Sequence, residues 1–86
     1  MKVDFKKEYL INDGYTKSVT VVVVINDQER PVTINITEDM KGNHFYYIGE
    51  YWLEGKDGSC IKTLFTPEQL MDDDYLDKEG YYWNHP

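Results

Sequence analysis

The residues of this chain that are best suited to chemistry are carboxylates near its end, in the stretch MDDDYLDKEGYYWNHP at positions 71–86. Closely spaced carboxylates are typical ligands of hard cations such as Ca²⁺. A dedicated calcium loop follows the pattern D-x-[DN]-x-[DN]-G. Counted from Asp72, that pattern fails, because Leu76 stands at the third ligand position and Asp77 replaces the glycine. We therefore expect no metal site in this stretch.

The chain offers few side chains for catalysis. Nucleophilic catalysis needs a Ser, Cys or Thr beside a base and an orienting partner. Cys60 and His44 could form such a pair, but no motif surrounds them, and the second histidine, His85, is next to the last residue. We interpret Cys60 as a small buried core residue and His44 as a solvated turn residue. The sequence thus predicts a protein that is not an enzyme and that holds no cofactor.

Charge is distributed unevenly along the sequence. The net charge is −7, yet residues 1–35 hold five basic and five acidic side chains, which cancel. Residues 36–86 hold four lysines against eleven acids and therefore carry the whole excess. Such a balance disfavours direct contact with nucleic-acid phosphates, which requires Lys and Arg. It favours a basic protein partner, although small domains also carry about 2–8 net charges for solubility alone.

The aromatic stretch HFYYIGEYW, at positions 44–52, invites comparison with the stacking platforms that bind single-stranded nucleic acid. Those platforms lie in positive grooves, whereas Glu50 and Glu54 share a predicted face with Trp52. Phe45 and Tyr47 are predicted on the opposite face of the same strand. We therefore expect no direct binding of nucleic acid. We include Glu50, Trp52 and Glu54 among those that contact a protein partner.

The acidic end of the chain could imitate nucleic acid. B-DNA carries one negative charge per ~1.7 Å of its axis, and a helix rises ~1.5 Å per residue, so carboxylates crowded into residues 68–79 approach that density. Arginine side chains of a partner would bind them in bidentate fashion, and the neighbouring aromatic rings would provide desolvated anchors. The predicted partner-binding residues are Glu68, Asp72, Asp73, Asp74, Tyr75, Asp77, Glu79, Tyr81, Tyr82 and Trp83, together with Glu50, Trp52 and Glu54.

Two interpretations of this end are open. The carboxylates also fit a solvated helix face stabilised by the helix dipole, with the aromatic residues packed as core. The functional hypothesis is a small acidic protein that inhibits a basic, nucleic-acid-handling protein as a DNA mimic. In size, acidity and lack of a catalytic set, the chain resembles the genre of phage-encoded inhibitors, such as anti-restriction and anti-CRISPR proteins, and bacterial immunity proteins. The alternative is a structural or adaptor subunit that associates through its sheet edge or aromatic strand, and homo-oligomers are left open.

The elements that must position these side chains are predicted to be mostly strands. Positions 18–25, SVTVVVVI, are rich in β-branched residues, which favour strands. Their unbroken apolar run indicates a central strand that is buried on both faces. The other strands follow from apolar–polar alternation and from the turn residues between them. The predicted strands are 3–11, 18–25, 30–37, 44–54 and 60–65, with a short helix left open for the first of these stretches.

One helix is predicted near the end of the chain. Thr66 is its N-cap, Pro67 occupies the first helical position, and Gln69 completes a capping box. The helix is expected to run from about 67 to 73 or a little beyond, and the aromatic end after it to add a strand or to pack as an arm. The elements together predict an α+β fold: an antiparallel β meander of about five strands, as a curled sheet or small, partly open barrel, with one short C-terminal helix. We expect a single domain over residues 1–86.

The expected location of the protein follows from what the sequence lacks. No apolar run approaches the ~20 residues of a membrane span, and the N-terminal stretch MKVDFKKEYL lacks the apolar core of a signal peptide. A single cysteine excludes an internal disulfide framework. We therefore expect a cytoplasmic protein that does not bind membranes.

Overall fold

The structure of the chain, a computed structural model, describes residues 2–3, 9–12 and 16–86. This part of the chain forms a sheet and two short helices. The strands are Lys2–Val3 (β1), Tyr9–Asn12 (β2), Thr16–Ile25 (β3), Gln28–Glu38 (β4), His44–Ile48 (β5), Tyr51–Gly55 (β6) and Tyr81–Asn84 (β7). The helices are Pro67–Leu70 (α1) and Asp73–Glu79 (α2).

All neighbouring strands of the sheet are antiparallel. Both β1 and β2 pair with β3, and β4, β5, β6 and β7 follow across the sheet in chain order. No pairing between described residues joins β7 to β1 or β2, so the sheet is open. The prediction of an α+β fold, with an antiparallel meander and a short helix near the C-terminus, is confirmed. The predicted first strand, 3–11, lies partly outside the described residues.

The longest pairing joins β3 to β4 around a two-residue turn. Asn26 and Asp27 form this turn with φ angles of 52° and 62°. Asn and Asp tolerate this left-handed conformation better than most residues, and a type I′ hairpin requires it at both positions. The turn fixes the register, in which Val21 lies opposite Val32.

The two faces of the sheet differ in burial. On the face that we call the covered face, alternate strand residues pack with the helices and the preceding loop. This core contains Val19, Val21, Val23, Ile34, Tyr46 and Leu53 from the sheet, with Ile61, Phe65, Leu70, Met71 and Leu76 from the loop and helices. The opposite side, which we call the open face, carries Ser18, Thr20, Thr33, Asn35, Phe45, Tyr47, Trp52, Glu54, Tyr82 and Asn84, none of them buried.

The aromatic stretch 44–54 forms two strands, whereas one was predicted. Gly49 and Glu50 turn the chain between β5 and β6, and Gly49 has a φ of 58°. Glycine followed by any residue is the signature of a type II′ hairpin turn. Tyr47 therefore lies opposite Trp52. In one continuous strand these two residues would face opposite sides, so the turn overturns the predicted division of this stretch into faces.

The predicted strand 60–65 is also wrong, because β7 occupies the edge of β6 beside which it would have lain. Residues 60–65 are held by individual hydrogen bonds and not by the ladder of backbone bonds that joins paired strands. The His44 N–H donates to the Ile61 carbonyl at 2.7 Å. The Tyr46 hydroxyl donates to the Thr63 carbonyl at 2.6 Å and accepts from the Phe65 N–H at 3.1 Å.

The C-terminal helix begins as predicted but is divided in two. The Gln69 N–H donates to Thr66 Oγ1 at 3.1 Å, and the Thr66 N–H donates to Gln69 Oε1 at 3.0 Å, which completes the capping box. Helix α1 ends at Leu70. The Asp72 carboxylate then accepts a hydrogen bond from the Tyr75 N–H at 3.1 Å and starts α2 as its N-cap. Neither of these helices of the described part has the length and apolar character to cross a membrane.

Candidate protein-binding surfaces

The carboxylates of the two helices differ in their contacts. Asp72 is committed to capping α2, and Asp77 Oδ1 lies 2.6 Å from Lys56 Nζ. The others form no ion pair with a described residue. Apart from the capping residue Asp72, we call the exposed carboxylates of residues 67–79 the acidic surface: Glu68, Asp73, Asp74, Asp77 and Glu79.

Helix α2 concentrates this charge on its solvent side. Leu76 is the residue of α2 that is buried in the core. Asp73 and Asp77 are four residues apart and lie one above the other on the helix. With 3.6 residues per turn, Asp74 lies on the side away from Leu76, and Asp73 and Asp77 lie on its flank, where both are exposed. Negative charge therefore faces the solvent along most of the helix.

Two neighbouring cavities connect the acidic surface to the aromatic end of the chain. Asp73 and Trp83 contribute to both cavities. One cavity, of about 320 Å³, is lined by Asp73, Leu76, Asp77, Tyr81, Tyr82 and Trp83. The other, of about 400 Å³, is lined mainly by apolar side chains, namely Val32, Ile48, Tyr51, Leu70, Met71 and Trp83, with Asp73.

Most aromatic residues near these cavities are held by the core. The Trp83 Nε1–H donates to the Leu70 carbonyl at 2.9 Å. The ring of Phe65 makes edge-to-face contacts with Tyr81, at 5.1 Å between centroids, and with Tyr75, at 6.4 Å. Trp83 and Tyr81 line the cavities, so a partner would meet these two rings already held in place.

On the open face, three side chains converge on a single carboxylate oxygen. Glu54 Oε2 accepts hydrogen bonds from Asn84 Nδ2 at 2.7 Å, from Trp52 Nε1 at 3.3 Å and from the Tyr82 hydroxyl at 3.3 Å. The bond from Asn84, followed by those from Trp52 and Tyr82, holds the pKa of the Glu54 carboxyl below its ordinary value of 4.5. Loss of hydration, and then the nearby negative charge, raises the pKa of the Tyr82 hydroxyl. Glu54 therefore stays ionised at neutral pH.

The predicted partner-binding residues do not form one surface. Asp73 and Asp77 share a cavity with Tyr81, Tyr82 and Trp83. The remaining carboxylates of the helices lie outside that cavity, and Tyr75 packs against the core. Trp52 and Glu54 lie on the open face, and Glu50 is exposed in the turn between β5 and β6.

Three residues of the open face were missed from the sequence: Phe45, Tyr47 and Asn84. Phe45 and Tyr47 are 41% and 39% exposed. Both were placed on the face opposite Trp52, because the stretch 44–54 was treated as one strand. The Gly49–Glu50 pair between two aromatic runs was the sequence signal of a hairpin that could have corrected this.

The predictions for Cys60 and His44 are both wrong. Cys60 is exposed, because the next residue, Ile61, takes the buried position. His44 is only 7% exposed, because the alternation of β5 turns it, like Tyr46, to the covered face. Its Nε2 lies 3.7 Å from Glu38 Oε1. Across the described part of the chain, no group of three or more His, Cys, Asp and Glu side chains could hold a metal ion.

Comparison of the chain with protein-family models, with curated proteins and with solved structures found no match in any of the three, so its function has to be inferred from its own geometry.

Proposed function

We propose that this chain is a non-catalytic binding protein that inhibits a basic, nucleic-acid-handling protein by occupying its nucleic-acid groove as a DNA mimic. One observation carries the proposal: the cavity in which Asp73 and Asp77 lie beside Tyr82 and Trp83. This cavity combines negative charge with aromatic surface. The aromatic surface provides the desolvated anchor that charge alone lacks.

The charge of the helical region is suited to a basic partner. Residues 67–79 hold six carboxylates and one lysine, and Lys56 neutralises only Asp77. Such a surface attracts Lys and Arg and repels nucleic acid, so charge would mainly set the rate of association. The aromatic and apolar walls of the two cavities would mainly set the rate of dissociation.

The spacing of charge on α2 approaches that of DNA. The helix has seven residues, which extend about 10 Å at ~1.5 Å per residue. Its four carboxylates therefore follow at one per ~2.6 Å, compared with one per ~1.7 Å in B-DNA. This density is sufficient for several phosphate-binding side chains to find a carboxylate at once.

The resemblance to phage-encoded inhibitors, including anti-CRISPR and anti-restriction proteins, concerns this mode of action. Proteins of that genre act on enzymes that bind nucleic acid inside the cell. The proposed partner class therefore implies a cytoplasmic setting.

The test begins with a basic protein that the immobilised chain captures from a cell extract. In solution, fluorescence anisotropy of a labelled DNA duplex then reports whether the chain displaces DNA from that protein. We expect complete displacement and an affinity between the two proteins that falls as salt is raised. Simultaneous binding of DNA and the chain would overturn the proposal.

A pair of matched variants separates the acidic surface from net charge. The variants D73N/D74N and D27N/E29Q each remove two negative charges and change the net charge from −7 to −5. We expect the first to weaken binding about tenfold or more, since close charge pairs across an interface are removed. The second changes the β3–β4 turn and the start of β4, at residues that line neither cavity, and should leave the affinity nearly unchanged. Equal effects of the two variants would contradict the proposed interface.

The second candidate function is a structural or adaptor subunit. It is favoured by the exposed rings of Phe45, Tyr47 and Tyr82 on the open face, since aromatic residues are enriched at protein interfaces. A homo-oligomer that persists at high salt, measured by light scattering, would support this function over the first.

A further inference from the structure

The open face contains a second charged position, separate from the acidic surface. The open-face positions of β5, β6 and β7 are Phe45, Tyr47, Trp52, Glu54, Tyr82 and Asn84, so Glu54 is the only charged residue among them. Its hydrogen-bond donors are the neutral groups of Trp52, Tyr82 and Asn84. The negative charge is therefore fixed in place, and no cation among the described residues forms an ion pair with it.

The carboxylate of Glu54 retains capacity for a further donor. All three of its hydrogen bonds end on Oε2, and no hydrogen bond from a described residue reaches Oε1. An ionised carboxylate accepts about four hydrogen bonds through its two oxygens. Oε1 is thus the natural position for a donor from a partner.

Aromatic rings flank this carboxylate on the neighbouring strands. Tyr82 lies directly opposite Glu54, and Tyr47 lies directly opposite Trp52. Directly opposed residues have Cβ atoms about 4.5–5.5 Å apart. Tyr47 and Tyr82 are 39% and 41% exposed, so their rings are open to a ligand that approaches Glu54.

We infer that the open face binds an arginine side chain of a protein partner. The guanidinium donates to Glu54 Oε1 and packs against the rings of Trp52, Tyr47 and Tyr82. Charge complementarity selects a cation, and it rejects nucleic acid. A guanidinium is planar, stacks on aromatic rings and donates to a carboxylate at the same time, which an ammonium group does less well. This site shares Tyr82 with the cavity of the proposed DNA mimicry, but its charged group is Glu54 on the face opposite α1 and α2, so it does not depend on the carboxylates of α2.

The inference is tested by NMR titration of the whole chain with the peptide acetyl-Gly-Arg-Gly-amide. The control peptide contains citrulline, which has nearly the shape of arginine but no charge. We expect the arginine peptide to shift the signals of the Trp52 indole N–H and the Asn84 side-chain amide, and to bind about fivefold or more tightly than the citrulline peptide. Equal binding of the two peptides would overturn the inference.

Two variants test whether the arginine peptide binds at Glu54 or at the acidic surface. Glu54→Gln keeps the size of the side chain and should reduce binding of the arginine peptide to the level of the citrulline peptide. The variant D73N/D74N should keep the full response at Trp52 and Asn84. A response confined to signals of α2, or unchanged binding in Glu54→Gln, would overturn the inference. Should Glu54→Gln not fold, the comparison of the two peptides on the unmodified chain still decides.

Discussion

Two adjacent tyrosines show how differently the two faces of the sheet are used. Tyr46, on the covered face, is 1% exposed and is hydrogen-bonded to the loop that follows β6. Tyr47, on the open face, is 39% exposed. The covered face is committed to the core. The open face presents polar and aromatic side chains that the core does not need, which makes them available for recognition.

The largest expected difference between the faces is in stability. Ile34 is fully buried on the covered face, and its neighbour Thr33 is exposed on the open face. We expect Ile34→Ala to lower the free energy of unfolding by about 2–5 kcal/mol, because it leaves a cavity. Thr33→Ala should cost less than about 1 kcal/mol. Urea denaturation measures both. Similar losses would mean that the faces are not divided as described.

A smaller effect is expected from the helix cap on the covered side. Asp72→Ala removes the acceptor of the Tyr75 N–H and should lower the free energy of unfolding by about 0.5–2 kcal/mol. Asp72→Asn keeps an acceptor there and should cost much less. Thermal unfolding of the two variants tests this difference. An equal loss in both would show that the charge of Asp72, and not its capping bond, stabilises the helix.

The ion pair between Lys56 and Asp77 should contribute less again. Both side chains are more than half exposed, at 52% and 74%, so solvent screens their attraction. A double-mutant cycle with Lys56→Ala and Asp77→Ala should give a coupling of about 0.2–1 kcal/mol that decreases with salt. A larger, salt-independent coupling would indicate that Asp77 is structural and unsuited to bind a partner.

The smallest effect is expected on the open face, from Glu54. Its pKa lies below the ordinary value of 4.5 in the folded chain, so its contribution to stability is present above pH 4.5 and is lost as pH falls through the folded value. The unfolding temperature of the unmodified chain should therefore exceed that of Glu54→Gln at neutral pH, and this excess should shrink in acid. A constant difference would contradict the role of the three donors.

Local signals in the sequence were sufficient for part of the fold. The capping box of Thr66 and Gln69 was predicted because both partners lie within one turn of helix. The β3 strand was predicted because its β-branched residues leave little choice of backbone, but its predicted burial on both faces is wrong, since Val22 and Val24 are only half-buried. Such contacts depend on neighbours in the chain, which a sequence shows directly.

The remaining features of the fold depend on turns and long-range strand pairings, which the alternation of apolar and polar residues does not show. The turn at Gly49 reversed the side to which Tyr47 and Trp52 point, so the predicted faces of this stretch were wrong. The pairing of β7 with β6 joins residues about 30 apart. The sequence left open whether the aromatic end adds a strand or packs as an arm. Its pairing with β6 places Tyr81 and Trp83 against the core and Tyr82 on the open face.

The Tyr46 hydroxyl makes the stability of the protein sensitive to high pH. It holds the stretch before α1 through two backbone contacts, where a ladder of strand bonds was expected. Burial raises its pKa above the ordinary value of 10.0, so the folded chain retains this proton where an unfolded chain would release it. The contribution of this hydroxyl to stability is intact below pH 10 and is lost as the pH rises through the pKa of Tyr46 in the folded chain. In strong base the phenolate can no longer donate to the Thr63 carbonyl, although it still accepts from the Phe65 N–H, so this segment is expected to loosen as the phenol ionises.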